Sequence, residues 1–349
     1  MTRRANRKTG PGRTFDACLG AIKNSEIHPS PGPRSLTTVR PVPLQFFVAT
    51  LLATPPSLLA ATFGEQISAE GIRHSFLLTG NKTALIGEDC ETMWSVNERS
   101  RDGEVLADGN LLIAFAKSVK EFTRTLEVVF EYKLSPENSE IGTVSRLENG
   151  NTLITELGKK PRLLEIGRDG KVVATCPLQP ETGNAHMQTR MARKTPAGTY
   201  LVPHLLAFAV KEYRPDGSIV RTIATDLPEL GGREGKNWPF TAILLNDQSV
   251  MVNLTNGNKT VIFGADGKPQ WVTTNEDVDN RFADPCGGNI LGNGNLVICS
   301  YGQGKDGMPD VFEITREKKV VWEFKADGFK GAHEIHVLTT NGRPANAKR

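Results

Sequence analysis

Apolar residues between positions 74 and 342 fall in short alternating runs, each closed by Asn-Gly, Asp-Gly or a close relative. LADGNLLI (106–113), LENGNTLI (147–154) and LGNGNLVI (291–298) share one phrase. TPAGTYLV (195–202) and LNDQSVMV (245–252) are degenerate copies, and VLTTNGRP (337–344) ends the series in the same style. A second phrase lies between the copies: RLLEIGRDGKVVA (162–174), VKEYRPDGSIVRT (210–222), TVIFGADGKPQWV (260–272) and VFEITREKKVVWEF (311–324). Period-two alternation flanking such dipeptides predicts β-hairpins. Asn-Gly and Asp-Gly reach positive φ cheaply, as a two-residue primed turn requires.

Two hairpins alternate, so each unit holds four short strands. The glycine slots at 109, 150, 198, 248, 294 and about 341 recur roughly every 46 residues. Four-stranded units at that period predict a β-propeller. The Gly-His and Trp-Asp signatures of WD40 blades are absent, a β-helix needs shorter repeats, and no periodic helical segment separates the strands as a two-domain α/β enzyme would require.

The expected fold is therefore all-β: a six-bladed β-propeller of four-stranded antiparallel blades. Five blades run over 98–132, 141–175, 186–223, 238–273 and 287–324. The sixth is split. Residues 74–96 provide three strands and EIHVLTTNG (334–342) the fourth, so one C-terminal strand joins three N-terminal strands and no sheet edge stays open. The twin stretches GNKTALIGEDCETMW (80–94) and GNKTVIFGADGKPQW (257–271) are then outer halves of two blades. A seven-bladed ring would need strands in 43–73, against which Pro55-Pro56 and Gly64 argue.

Charge divides the chain. Residues 1–41 carry eight basic and two acidic residues, so the net +3 of the whole leaves about −3 on the remainder, and no nucleic-acid footprint spreads over the blades. The Pro-rich PSPGPR (29–34), then LQFFVATLLA (44–53), Pro55-Pro56 and small residues at 60–62 read as a leader over 1–62 with a signal-peptide-like apolar run. That run is short of the roughly 18 residues that span a bilayer. Export to the periplasm or outside the cell is expected, with a start codon further down as one account of the long stretch before the apolar run; a retained membrane anchor and a cytoplasmic chain are the alternatives. Residues 63–73 are expected as a linker, 74–342 as the propeller and 343–349 as a C-terminal tail. Cys90, Cys176, Cys286 and Cys299 show no C-x-x-C, and their spacing leaves disulfide status open.

The repeat phrases resemble those of bacterial quinoprotein-dehydrogenase-like and arylsulfotransferase-like propellers, over residues 74–341. Many members of that group are exported proteins without an assigned activity. The resemblance implies the fold. For the quinoproteins it also implies pyrroloquinoline quinone stacked on a Trp and a vicinal disulfide, but this chain has no adjacent cysteines, and Trp94, Trp271 and Trp322 share one blade slot. No cofactor is expected. Calcium on the loop NEDVDN, through Asp277 and Asp279, lacks the Gly and the later Glu of an EF-hand. The arylsulfotransferases imply a histidine as sulfate acceptor, but their motifs do not align beyond the repeat phrase, so no residue carries over.

Topology selects the candidates. The loops joining blades, and those joining second to third strands, should surround one mouth of the channel, where a rigid scaffold aims functional residues. That mouth is expected to hold His186, His204, His333 and His336. His336 and His186, on opposite blades, are the candidate catalytic acid–base or nucleophile pair. The competing expectation is that each histidine is a hydrogen-bonded residue lining a wet channel. Arg101, Arg146 and Arg190 suit sulfate, carboxylate or phosphate. Asn289 and Trp238 complete the expected ligand-binding set. His333-Glu334-x-His336 on a strand points its first two side chains to opposite faces, so no metal site is expected. The primary expectation is an exported, monomeric propeller that binds a small molecule, a carbohydrate or a partner protein without catalysis. The alternative is a histidine-dependent transferase or hydrolase acting on an anionic substrate.

Overall fold

The computed structural model describes residues 62–303 and 307–349; the expected leader, but for its last residue, lies outside them. The repeated phrases fold alike. In LADGN, Asp108 Oδ1 accepts the Asn110 N–H at 3.0 Å, Leu106 N–H donates to the Asn110 carbonyl at 2.8 Å, and Gly109 N–H closes back on the Leu106 carbonyl at 2.9 Å. The same set recurs at 147–151, 167–171, 264–268 and 291–295. These are three-residue loops, not the two-residue primed turns expected. A type I′ turn needs two residues at positive φ, whereas in LADGN only Gly109, at φ 88°, adopts it. The Asp or Asn side chain holds the preceding turn, and the glycine takes the left-handed position after it.

Six antiparallel sheets result among the described residues. Blade one comprises Ser100–Val105, Leu111–Phe115, Ser118–Phe122 and Val128–Lys133, from channel to rim. Blades two, three and four begin with the inner strands Asn138–Arg146, Arg193–Lys194 and Asn237–Leu244, and blade five with Pro285–Ile290. The inner strand of blade six is Glu334–Thr340, paired with His74–Thr79, which is followed outward by Thr83–Ile86 and Thr92–Val96. No helix among the described residues is long and apolar enough to cross a membrane.

Among the described residues the apolar core is not one mass but six layers between neighbouring blades, with a small seventh cluster of Met191, Phe240 and Cys286. Alternation explains this: successive side chains point to opposite neighbours, so the second strands, such as Leu111–Phe115 and Thr152–Gly158, bury both faces, one against each neighbouring blade, while the outer strands leave residues such as Val128 and Val173 exposed. Trp322, fully buried, stacks with Phe324 and meets Phe76 edge-on between blades five and six. Trp94 occupies the same slot between blades six and one, and Trp271 between four and five, so the shared slot is a packing position.

Both segments flanking the repeats join the ring. Gly64–Ile67, within the expected linker, pairs with Val320–Ala326 as a fifth strand of blade five. Its Gln66 accepts from Trp322 Nε1–H at 2.8 Å and His74 N–H at 2.8 Å, and donates to the His74 carbonyl at 2.9 Å. The expected tail pairs Arg343–Pro344 with Thr339–Thr340, and Lys348 exchanges two backbone hydrogen bonds with Ile290. The Arg349 guanidinium reaches into the channel, 2.5 Å from Asp102 Oδ1 and 2.8 Å from Glu104 Oε2.

Candidate functional site

Every inner strand begins at the mouth formed by the interblade loops, so the residues at or just before those starts converge. Blade one contributes Arg99 and Arg101, blade two Glu140, blade three His186 and Arg190, blade four Trp238 and Phe240, blade five Cys286, and blade six His333. All but Glu140, together with Tyr301 and Asp284, line a cavity of about 170 Å³. Blades five and six approach closely here: Gly287 N–H donates to the His333 carbonyl at 2.8 Å, and a Cβ at Gly287 would lie 2.6 Å from that oxygen. Glycine is required by that approach.

The ring of His333 is tightly placed. Phe240 and Tyr301 meet it edge-on, each with centroids 5.2 Å away. Its Nδ1 lies 3.1 Å from the Arg101 carbonyl oxygen. A carbonyl only accepts, so Nδ1 carries the proton and Nε2 presents a lone pair. Burial, reinforced by Arg190, Arg101 and Arg99, lowers the His333 pKa to about 3, so the ring is neutral near pH 7.

Positive charge at this mouth is incompletely balanced. Glu140 accepts from Arg101 Nη2 at 2.6 Å and lies 3.8 Å from Arg190 and 3.5 Å from His186. Burial alone would raise the Glu140 pKa, but the Arg101 hydrogen bond and the surrounding cations hold it at about 2. Arg190, with 3% of its side chain exposed, donates only to the backbone carbonyls of Thr189 and His186. Its Cζ sits 5.9 Å from the Phe240 centroid. Burial, followed by the nearby Arg101, lowers its pKa to about 10. Arg99 donates to Tyr301 Oη at 2.6 Å and has no carboxylate partner among the described residues. Trp238 Nε1–H and Glu140 Oε1 are buried without a hydrogen-bond partner. Burial pushes the Cys286 thiol well above its usual pKa, which keeps it protonated near pH 7.

Five of the nine sequence candidates therefore meet: Arg101, His186, Arg190, Trp238 and His333. Four do not. His204 is fully buried within blade three, where Tyr213 Oη, 2.9 Å from Nε2, also accepts from Gln179 N–H; burial and Lys211 lower its pKa to about 3. Asn289 ties blade five to blade six, donating to the Ile335 carbonyl and accepting from Val337 N–H. His336 lies deeper along its strand, and its Nδ1 accepts the Val105 N–H at 3.1 Å. That contact leaves Nε2 protonated in the neutral ring, the wrong tautomer for a base there. Arg146 lines the opposite mouth and is paired with Glu121 at 2.5 Å. Arg146 and Asn289 lie far along their inner strands, which advance about 3.3 Å per residue; His336 and His204 are instead turned onto partners within the ring, the Val105 amide and Tyr213.

The opposite mouth has two larger cavities, about 480 and 460 Å³, sharing Arg193, Lys194 and Arg349. Its cations are already answered: Arg193 by Asp102, Lys194 by Glu165, and Arg349 by Asp102 and Glu104. Size does not decide between the mouths, because a cavity of about 760 Å³ beside the candidate site shares its Arg99 and Tyr301; uncompensated charge and the open His333 Nε2 favour the smaller cavity, and such groups are what bind a specific ligand. Arg99, Glu140, Phe240 and Tyr301 were not among the sequence candidates. The rule that identified Arg101 reaches Arg99, just before an inner-strand start, and Tyr301, which opens a connection between second and third strands; Glu140 and Phe240 lie inside their inner strands and carry no such signal.

No protein-family model and no curated protein matches the chain. Solved structures do resemble it. A protein of unknown function from Bacteroides caccae is 23% identical with a TM-score of 0.64, covering 75% of this chain and 98% of that one. A catalytically inactive His-to-Ala variant of virginiamycin B lyase from Staphylococcus aureus, with quinupristin, is 14% identical with a TM-score of 0.53, covering 76% and 88%. The WD40 β-propeller domain of Doa1 is 10% identical with a TM-score of 0.53, covering 83% and 94%. At these identities the likeness establishes the β-propeller fold and nothing further.

Proposed function

We propose that the protein binds a small anionic ligand at the interblade mouth, with Arg190, Arg101 and Arg99 as the anion-binding groups and Phe240, Tyr301 and Trp238 as its walls. The single observation that carries this reading is Arg190. It is a buried guanidinium whose nearest carboxylate, 3.8 Å away, is already hydrogen-bonded to Arg101. A buried charge is tolerated only when paired, and a ligand anion would complete the pairing. Aromatic walls beside polar groups also suit an acidic sugar, which keeps carbohydrate within the reading. The site works outside the cytoplasm on this proposal, with the 1–62 leader removed; N-terminal sequencing of the natural protein checks that.

Calorimetry with benzoate, phenyl phosphate and phenyl sulfate tests the binding claim. Arg190→Gln should weaken whichever anion binds by about tenfold or more, the scale of a lost charge-assisted hydrogen bond. Absence of binding by all three, or equal binding by the variant, overturns it.

A catalytic reading is favoured by one observation, the unprotonated Nε2 of His333 at the cavity wall. The neighbouring lyase structure, inactive as a His-to-Ala variant, is a fold-level analogy for it. On this alternative a transferase or hydrolase would use His333, not the pair His186 and His336. Turnover of aryl sulfates or esters that vanishes in His333→Phe would establish it in place of pure binding.

A further inference from the structure

Resting on that anion-binding reading, we infer that the mouth selects hydroxy acids: a carboxylate for the arginines that also carries a hydroxyl donating to His333 Nε2. The argument is the pattern of donors and acceptors left open. Anion recognition alone needs only donors, and Arg99 and Arg190 supply them. Yet the same wall holds an acceptor. His333 spends its Nδ1 proton on the Arg101 carbonyl, and no described residue hydrogen-bonds its Nε2. A simple carboxylate would satisfy the guanidiniums and set its own oxygens against that lone pair.

The tautomer cannot adjust. Reversing it would face Nδ1 and the Arg101 carbonyl, two acceptors, at 3.1 Å, and the Phe240 and Tyr301 edges hold the ring from both sides. Protonating the ring is opposed by burial beside three guanidiniums. His333 therefore stays an acceptor, and a site that reads a hydroxyl by a fixed acceptor discriminates strongly against the analogue lacking it, because the acceptor is then buried unpaired. Free aryl hydroxy acids and acidic sugars share this chemistry.

The experiment is calorimetry on the mature chain with two matched pairs: mandelate against phenylacetate, and glucuronate against cyclohexanecarboxylate. The hydroxylated member of at least one pair should bind about tenfold or more tightly, and the pair that discriminates identifies the source. In His333→Phe that preference should fall to within about twofold while carboxylate binding through Arg190 persists; the comparison in the unaltered protein stands whether or not the variant folds. If carboxylates bind but neither pair discriminates, or if discrimination survives in a folded His333→Phe, the inference is overturned and anion binding remains. If no carboxylate binds, the anion-binding reading fails and this inference falls with it.

Discussion

Asp102 of blade one and Arg193 of blade three, 91 residues apart in sequence, form a two-pronged ion pair across the channel, at 2.8 Å and 3.1 Å. The blades are not neighbours, so the pair braces the ring through its centre. Asp102 is fully buried and also accepts from Thr143 Oγ1 and the Val144 N–H. Removing one member of such a pair strands the other. Asp102→Ala is expected to destabilise by about 3–5 kcal/mol in urea unfolding. A loss below about 1 kcal/mol would mean the channel tolerates the unpaired guanidiniums.

The same network sets opposite pH dependences at two carboxylates. Burial would raise the Asp102 pKa, but Arg193 and Arg349 outweigh it and hold it at about 2, below the 3.8 of a free side chain. Its contribution to stability is present above pH 3.8 and lost as pH falls toward 2. Glu334 goes the other way: burial pushes it up to about 7, above the ordinary 4.5, despite Arg349 and Arg193 nearby. Its contribution is full below pH 4.5 and lost as pH rises through 7. Glu334→Gln should therefore match the parent near pH 4 and melt higher at pH 8, because a glutamine oxygen still accepts from the Gly288 and Ile335 amides. Equal melting at both pH values would refute the assignment.

Gln66 predicts that residues before the repeats matter to the ring. It pairs the Trp322 indole and the His74 backbone, joining blades five and six. Gln66→Ala should cost roughly 1–3 kcal/mol by leaving buried donors unmet. Val173→Thr, on the exposed outer strand of blade two, should stay within about 0.5 kcal/mol. Chemical denaturation of the two variants side by side checks the contrast.

Closure gives a coarser prediction. Deleting residues 332–349 removes the inner strand of blade six and leaves His74–Thr79 as an open edge. Aggregation is the expected outcome, read by light scattering. Deleting only 343–349 keeps that strand and should leave a soluble protein with a lowered melting temperature, because Asp102 and Glu104 lose Arg349. Similar behaviour of the two deletions would show that edge pairing is not what the C-terminal segment contributes.

The number of blades, their split closure and the packing role of the shared Trp slot were legible in the sequence, because each rests on a local code repeated along the chain. The Asp-Gly or Asn-Gly of LADGN, LENGN and LGNGN turns a strand back each time it recurs, and the apolar run after it buries both faces of the strand that follows. The same code reached the mouth as far as Arg101, Arg190, His186, Trp238 and His333, which sit at inner-strand starts. It failed for His336, Arg146, Asn289 and His204, because depth along a strand and the identity of the facing blade depend on how six sheets tilt around one axis. Only the assembled ring decided that Arg146 would meet Glu121 and that His336 would accept the Val105 amide. It alone left Arg190 short of a hydrogen-bonded carboxylate and His333 with a free lone pair. Turn chemistry acts between residues two to four apart and can be read from a string; charge compensation acts between residues brought together from opposite blades and exists only once the ring is closed.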